Sequence, residues 1–194
     1  MSNIKEHLKE CIFGNHKCVF AKICKENCNW CGPLLNMKKH VKQMHKAEAD
    51  TLNTEEPLQM LLAMKSETEF EPVRQILLAL EEMFLTMFKV VDGTFYCVVV
   101  HIGARANASK YKYTLRMRTG KEALSCSFIT ASFMDNIEEL LKNGECMALR
   151  LSCIKKFVKC SKLRMDIEIH EYGAEEEDDD DITEEQDEGD SEEK

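Results

Sequence analysis

Lys110-Tyr111-Lys112-Tyr113-Thr114-Leu115-Arg116-Met117-Arg118 alternates large apolar residues with polar or cationic ones over nine positions. Successive side chains of a β-strand point to opposite faces, so this stretch puts Tyr111, Tyr113, Leu115 and Met117 into a core and the cations into water. Lys162 to His170 repeats the pattern, with Leu163, Met165, Ile167 and Ile169 inward. One wet face and one buried face is the signature of an antiparallel sheet. Phe95 to Ile102 differs, being apolar on both faces, which suits a central strand. Met83–Val90 and Phe95–Ile102 flank Val91-Asp92-Gly93-Thr94, a hairpin signal. Leu124–Phe128 and Met147–Cys153 read as further strands. One helix interrupts them: Ser132 can cap a segment with Ile137, Leu140 and Leu141 on one side and Gly144 at its end. Many short strands with one short helix predict a mainly β fold, an antiparallel β-sandwich.

The charge is uneven. From Ala174 to Lys194 there are 14 acidic residues and one lysine, so that segment carries −13 of a formal net charge of −9 and leaves +4 on the rest. Such a tail buries too little to offset its ordering entropy, and it is expected to be a disordered acidic extension. The N-terminal ten residues show no apolar run of a secretory signal, and 18 consecutive apolar residues occur nowhere, so a cytoplasmic, and also nuclear, location without a membrane is expected. In such a compartment thiols stay reduced, and Cys clustered with His points to metal rather than disulfides.

Cys18, Cys28, His40 and His45 form the candidate metal set, two thiolates from a loop and two imidazoles from one helix, the composition of a Cys₂His₂ zinc finger binding Zn2+. Asn36 can cap that helix, and Met37, Val41 and Met44 give it an apolar stripe. His40 and His45 lie about 140° apart on a regular helix, so they converge on one ion only if the helix end loosens. By spacing, Cys24 is the better first ligand, because Cys24–Cys28 fits C-x₂₋₄-C and Cys18–Cys28 does not. Cys31 is a third option, and His7 with Cys11 is a half-site without an earlier Cys pair.

His7-Leu8-Lys9-Glu10-Cys11 leading to Lys17-Cys18-Val19-Phe20, then Cys28-Asn29-Trp30-Cys31-Gly32 with His40 and His45, resembles the finger region of the seven in absentia family of ubiquitin ligases. Phe95 to Arg118, with His101-Ile102-Gly103-Ala104-Arg105, followed by Ile137 to Leu151, is similar to that family's TRAF-like substrate-binding domain. The resemblance implies Cys18 as first ligand, with Cys24 as its rival in an enlarged loop. It implies binding of protein substrates or degron peptides for proteasomal degradation, and a homodimer or a heterodimer with a RING-containing relative. The sequence has no RING-type Cys/His array, so a ubiquitin-conjugating enzyme is expected to be reached only indirectly, and the chain to be non-catalytic by itself. The expected organisation is a finger remnant (1–17), the zinc finger (18–46), a linker (47–56), the TRAF-like sandwich (57–173) and the tail (174–194). No peptide-binding residue is assigned, because Leu58 to Leu80 departs from the family pattern.

Two other classes compete. A nucleic-acid-binding zinc-finger protein would use Lys38, Lys39, Lys42 and Lys46, although one finger reads only about three base pairs. An independent enzyme is disfavoured: G-x-S-x-G, H-E-x-x-H and a phosphate loop are all missing, and His101 and His170 on strands read as structural.

Overall fold

The structure, a computed structural model, describes residues 11–23, 27–45, 49–51, 56–71, 73–120 and 122–173. His7, Cys24, Lys46 and the acidic tail lie outside the described residues. In chain order the first part has β1 (His16–Lys17), α1 (Val19–Ile23), β2 (Cys31–Gly32), a 3-10 turn (Leu34–Asn36) and α2 (Met37–Met44). The strands that follow are β3 (Ala49–Thr51), β4 (Leu58–Ser66), β5 (Glu69–Phe70), β6 (Arg74–Ala79), β7 (Glu82–Val91) and β8 (Thr94–His101). After a 3-10 segment (Arg105–Lys110) come β9 (Tyr111–Thr119), β10 (Glu122–Ile129), β11 (Ala131–Ser132) and α3 (Ile137–Asn143). The chain then forms β12 (Met147–Arg150), α4 (Leu151–Lys155), β13 (Val158–Lys159) and β14 (Lys162–Glu171).

These strands form two six-stranded sheets, the mainly β sandwich that the alternating patterns imply. Sheet I runs β10-β9-β14-β4-β5, with β13 also on β14. Sheet II runs β11-β8-β7-β6-β3, with β12 also on β8. Pairing is antiparallel except for β3 with β6 and β11 with β8. Between the sheets lies one apolar cluster, to which β9 contributes Tyr113, Leu115 and Met117, and β14 Leu163, Met165 and Ile167. The wet face of sheet I keeps the polar halves of those strands, with Arg116 paired to Glu168 and Thr114 bonded to Ser127 at 2.8 Å.

Sheet II is buried on both faces. Phe95, Cys97 and Val99 of β8 enter the inter-sheet cluster, whereas Val98, Val100 and the following Ile102 enter a second one. Ile76 and Leu78 of β6 and Met83 and Leu85 of β7 join that second cluster, which Leu140 and Leu141 of α3 cover together with Val19, Phe20, Leu34, Met37 and Val41. The doubly apolar strand therefore has its second face covered by α3 and by the N-terminal Cys/His region.

Local signals decide several details. The β7–β8 turn has Asp92 and Gly93 at φ 48° and 72°, the two left-handed positions of a type I′ turn that matches strand twist. The helix cap is Asn136, whose side chain accepts from the Glu138 amide at 3.0 Å; Ser132 instead ends β11 and accepts from the Met134 amide. Gly144 closes α3 in the left-handed conformation (φ 73°), as its position suggests. The strand read from Met147 to Cys153 stops at Arg150, because Leu151 and Ile154 are buried at i and i+3 on α4 and leave Cys153 exposed. Within the segment read as a linker, Ala49–Thr51 adds a parallel edge strand to β6. Among the described residues no helix is long and apolar enough to cross a membrane.

Candidate metal centre

The site is assembled by a two-strand ladder and a helix. His16 pairs with Gly32 and Lys17 with Cys31, and the Cys18 amide donates to the Trp30 carbonyl at 3.1 Å, which sets Cys18 opposite the turn that carries Cys28. Gly32 is required by close approach: a Cβ there would lie 2.9 Å from the Trp30 ring. Pro33 and the 3-10 turn then lead into α2, with Asn36 at the N-cap position but without a side-chain capping bond. Met37 and Val41 are fully buried, while Met44, read as the third member of the stripe, is 69% exposed because the helix ends there. His45 has left helical geometry (φ −127°, ψ 30°). That loosening carries its ring round toward His40.

The four donor atoms of Cys18, Cys28, His40 and His45 lie within 4.8 Å of one another. Cys18 Sγ is 3.4 Å from His45 Nε2 and 3.3 Å from His40 Nε2, and Cys28 Sγ is 3.3 Å from His40 Nε2. A tetrahedral ion with arms of about 2.0–2.3 Å has ligand–ligand edges of roughly 3.3–3.8 Å. These separations are such edges, and the donor set fits a metal ion. Both imidazoles point Nε2 at the centre and are held by stacking, Trp30 on His40 at 4.6 Å and Phe20 on His45 at 4.5 Å. Burial pushes the Cys18 thiol up and the His40 imidazole down from their ordinary values. Desolvation thus disfavours uncompensated charge here, and a divalent cation would reverse that preference for the thiols.

Of the other candidates, Cys31 is exposed on β2 and outside the cluster. Cys11 accepts a bond at its carbonyl from His16 Nε2 (2.9 Å), and its thiol is also outside the cluster. His7 and Cys24 lie outside the described residues. Phe20, which holds the His45 ring, went unread as a site residue, since a lone aromatic after Cys18 gives no periodic signal. Lys38 and Lys42 of α2 bond Glu81 at the β6–β7 turn, where Leu80 and Glu81 have positive φ. The site is thereby tied to sheet II by ion pairs as well as by apolar packing.

His101 and His170 fall on β8 and β14 respectively. His101 is buried, with Nε2 3.2 Å from a Glu82 carboxylate oxygen and its ring against Tyr111 and Phe84. Its environment is aromatic and closed, which supports a packing role.

Residues 77–168, a little under half of the chain, match the family model of the Sina, TRAF-like domain. No curated protein gives a match. The matched span runs from β6 to β14 and so takes in most of both sheets. The match supports a Sina-type TRAF-like domain over residues 77–168, which implies protein–protein interaction in general, and a Cys₂His₂ cluster that could hold a metal ion lies N-terminal to it.

Proposed function

We propose that this chain is a zinc-stabilised protein-recognition module of the seven in absentia type. In this reading the sandwich binds protein substrates or degron peptides for ubiquitin-dependent proteasomal degradation, and pairs with a copy of itself or with a RING-bearing relative. Zn2+ is held by Cys18, Cys28, His40 and His45 within a SIAH-type finger spanning 18–46. The sandwich spans 57–173 and acts in the cytoplasm. The observation that carries the reading is the Sina-type match over the strands of the sandwich. Exposed sheet edges such as β10 offer unpaired amides of the kind that receive an added peptide strand. Ligase chemistry would come from the partner.

The nucleic-acid reading loses support from the placement of α2. Its apolar face is spent on sheet II, and Lys38 and Lys42 are engaged by Glu81. Groove entry would need that helix free.

The test is native mass spectrometry of the purified chain, with ubiquitin discharge from a charged conjugating enzyme followed on the same sample. One zinc per chain, no discharge alone, and incorporation into a complex with a RING-bearing Sina-type ligase are expected. Discharge by the chain alone would overturn the assignment of catalysis to a partner, and failure to join such a ligase would overturn the pathway.

A further inference from the structure

The stretch Arg150 to Met165 contains six cations and no Asp or Glu. It crosses from β12 at the edge of sheet II, through α4 and β13, to β14 of sheet I. Arg150, Lys155, Lys156, Lys159, Lys162 and Arg164 are all exposed, because Leu151, Ile154, Phe157 and Leu163 take the inward positions between them. Arg118, also exposed, lies beyond Arg116 on the adjacent β9, so continuation of the β9–β14 register sets it beside Arg164. Several cations elsewhere are paired, Lys38 and Lys42 with Glu81, Lys89 with Glu138, Arg105 with Asp135 and Arg116 with Glu168, and others such as Lys65 and Lys142 stand apart from one another. Among the described residues no ion pair engages the basic stretch. A shallow depression of about 500 Å³ at its start is shared by Arg150, Lys155 and one carboxylate, Asp92.

We propose that the chain's own acidic C-terminal segment, residues 174–194, docks on this basic surface and shields it in the free protein. Charge complementarity is the first argument: the segment carries −13, and the surface is the one large set of unpaired cations among the described residues. Reach is the second. The segment leaves from the far end of β14, and the basic end lies nine residues back along that strand, about 30 Å away. Twenty-one residues span up to roughly 70 Å, so more than half of them can lie on the surface after the gap is crossed. Tethering is the third, since covalent attachment of a segment of this length holds its charges at about millimolar effective concentration, whatever the protein concentration. An external polyanion must displace it, which makes the tail a selectivity filter for this surface.

Zero-length carbodiimide cross-linking of the full chain, read by peptide mass spectrometry, tests the contact. Tail carboxylates should join Lys155, Lys156, Lys159 and Lys162 about fivefold more than the exposed Lys65 and Lys142, and about 0.5 M NaCl should remove the preference. Cross-links spread evenly over exposed lysines would overturn the proposal. The second arm uses a fluorescent deca-glutamate peptide. A full-length variant carrying Glu175→Gln, Glu176→Gln, Glu177→Gln, Asp178→Asn, Asp179→Asn, Asp180→Asn and Asp181→Asn should bind it about tenfold tighter than wild type. Adding Lys155→Glu, Lys156→Glu and Lys159→Glu to that variant should abolish binding. Equal affinity for wild type and the neutralised-tail variant would remove the tail as occupant. So would a duplex oligonucleotide that both proteins bind equally well.

Discussion

Met37→Ala asks whether the Cys/His region and the sandwich are one folding unit. Met37 is fully buried on α2, in the cluster that includes Ile76, Leu78, Met83 and Leu85 of sheet II. Truncating a buried Met to Ala costs about 2–5 kcal/mol, through lost transfer free energy and the cavity left behind. At about 2–4 °C per kcal/mol for a chain of this size, a central cost of about 3 kcal/mol lowers Tm by roughly 6–12 °C. The assay is differential scanning calorimetry with zinc in excess, so that occupancy of the metal centre does not limit the result. Met44→Ala is the control on the same helix: its side chain is 69% exposed, and a surface truncation stays within about 0.5 kcal/mol. The expected result is one transition that moves as a whole in Met37→Ala and stays in place in Met44→Ala. If Met37→Ala shifts only a minor transition while the main one moves by less than about 2 °C, the shared core is refuted.

Three further outcomes are expected. In native mass spectrometry, wild type is expected to carry one metal ion, which His45→Ala and Cys28→Ser should each lose and Cys31→Ser should keep, since Cys31 stands outside the cluster; metal loss in Cys31→Ser would redraw the site. Gly103→Ala should destabilise by about 1–3 kcal/mol in urea unfolding, because the new Cβ would lie 2.3 Å from Cε1 of the buried His101 ring; an unchanged midpoint would show that the ring can yield. Burial holds His101 below the ordinary histidine value of about 6.5, partly offset by Glu82, so its contribution is full above that pH and is lost as pH falls toward the lower folded value. The Tm difference between pH 7.5 and 5.5 should therefore be smaller in His101→Gln than in wild type, with acid competition at the metal ligands common to both; parallel pH profiles would exclude His101 as the source.

The strands and the donor set were legible for different reasons. β9 and β14 alternate strictly, and a period of two leaves little choice of which side chains go inward. The sandwich follows from those patterns, whereas the Cys/His set was legible from residue type and spacing. The convergence of His40 and His45 was legible only as a condition, because five residues on a regular helix put them on different sides. It is met where α2 ends at Met44, so the helix end that exposes Met44 also turns His45 inward. The α3 cap was missed for want of a length rule: Ser132 and Asn136 are both good caps, and pairing of β11 with β8 takes the serine. Met147–Cys153 was misread in part because a short apolar run does not separate a strand from a helical turn.

The doubly apolar β8 had a meaning that its periodicity could not carry. An outer face made of Ile76, Leu78, Leu85, Val98 and Val100 is a liability in water unless something covers it. Here α3 covers part, and the remainder falls to a small Cys/His region whose own apolar residues are few. Such a region has too little core to hold shape alone, and ligation of an ion typically supplies about 10–16 kcal/mol in finger peptides of this kind. The ion's effect therefore should not stop at the finger. Keeping Phe20, Met37 and Val41 in place keeps sheet II covered, and leaves sheet I, with its charged face, as the open surface of the sandwich. An ion held by Cys18, Cys28, His40 and His45 would thus act as a clasp on the sandwich's covered side rather than as a separate recognition element.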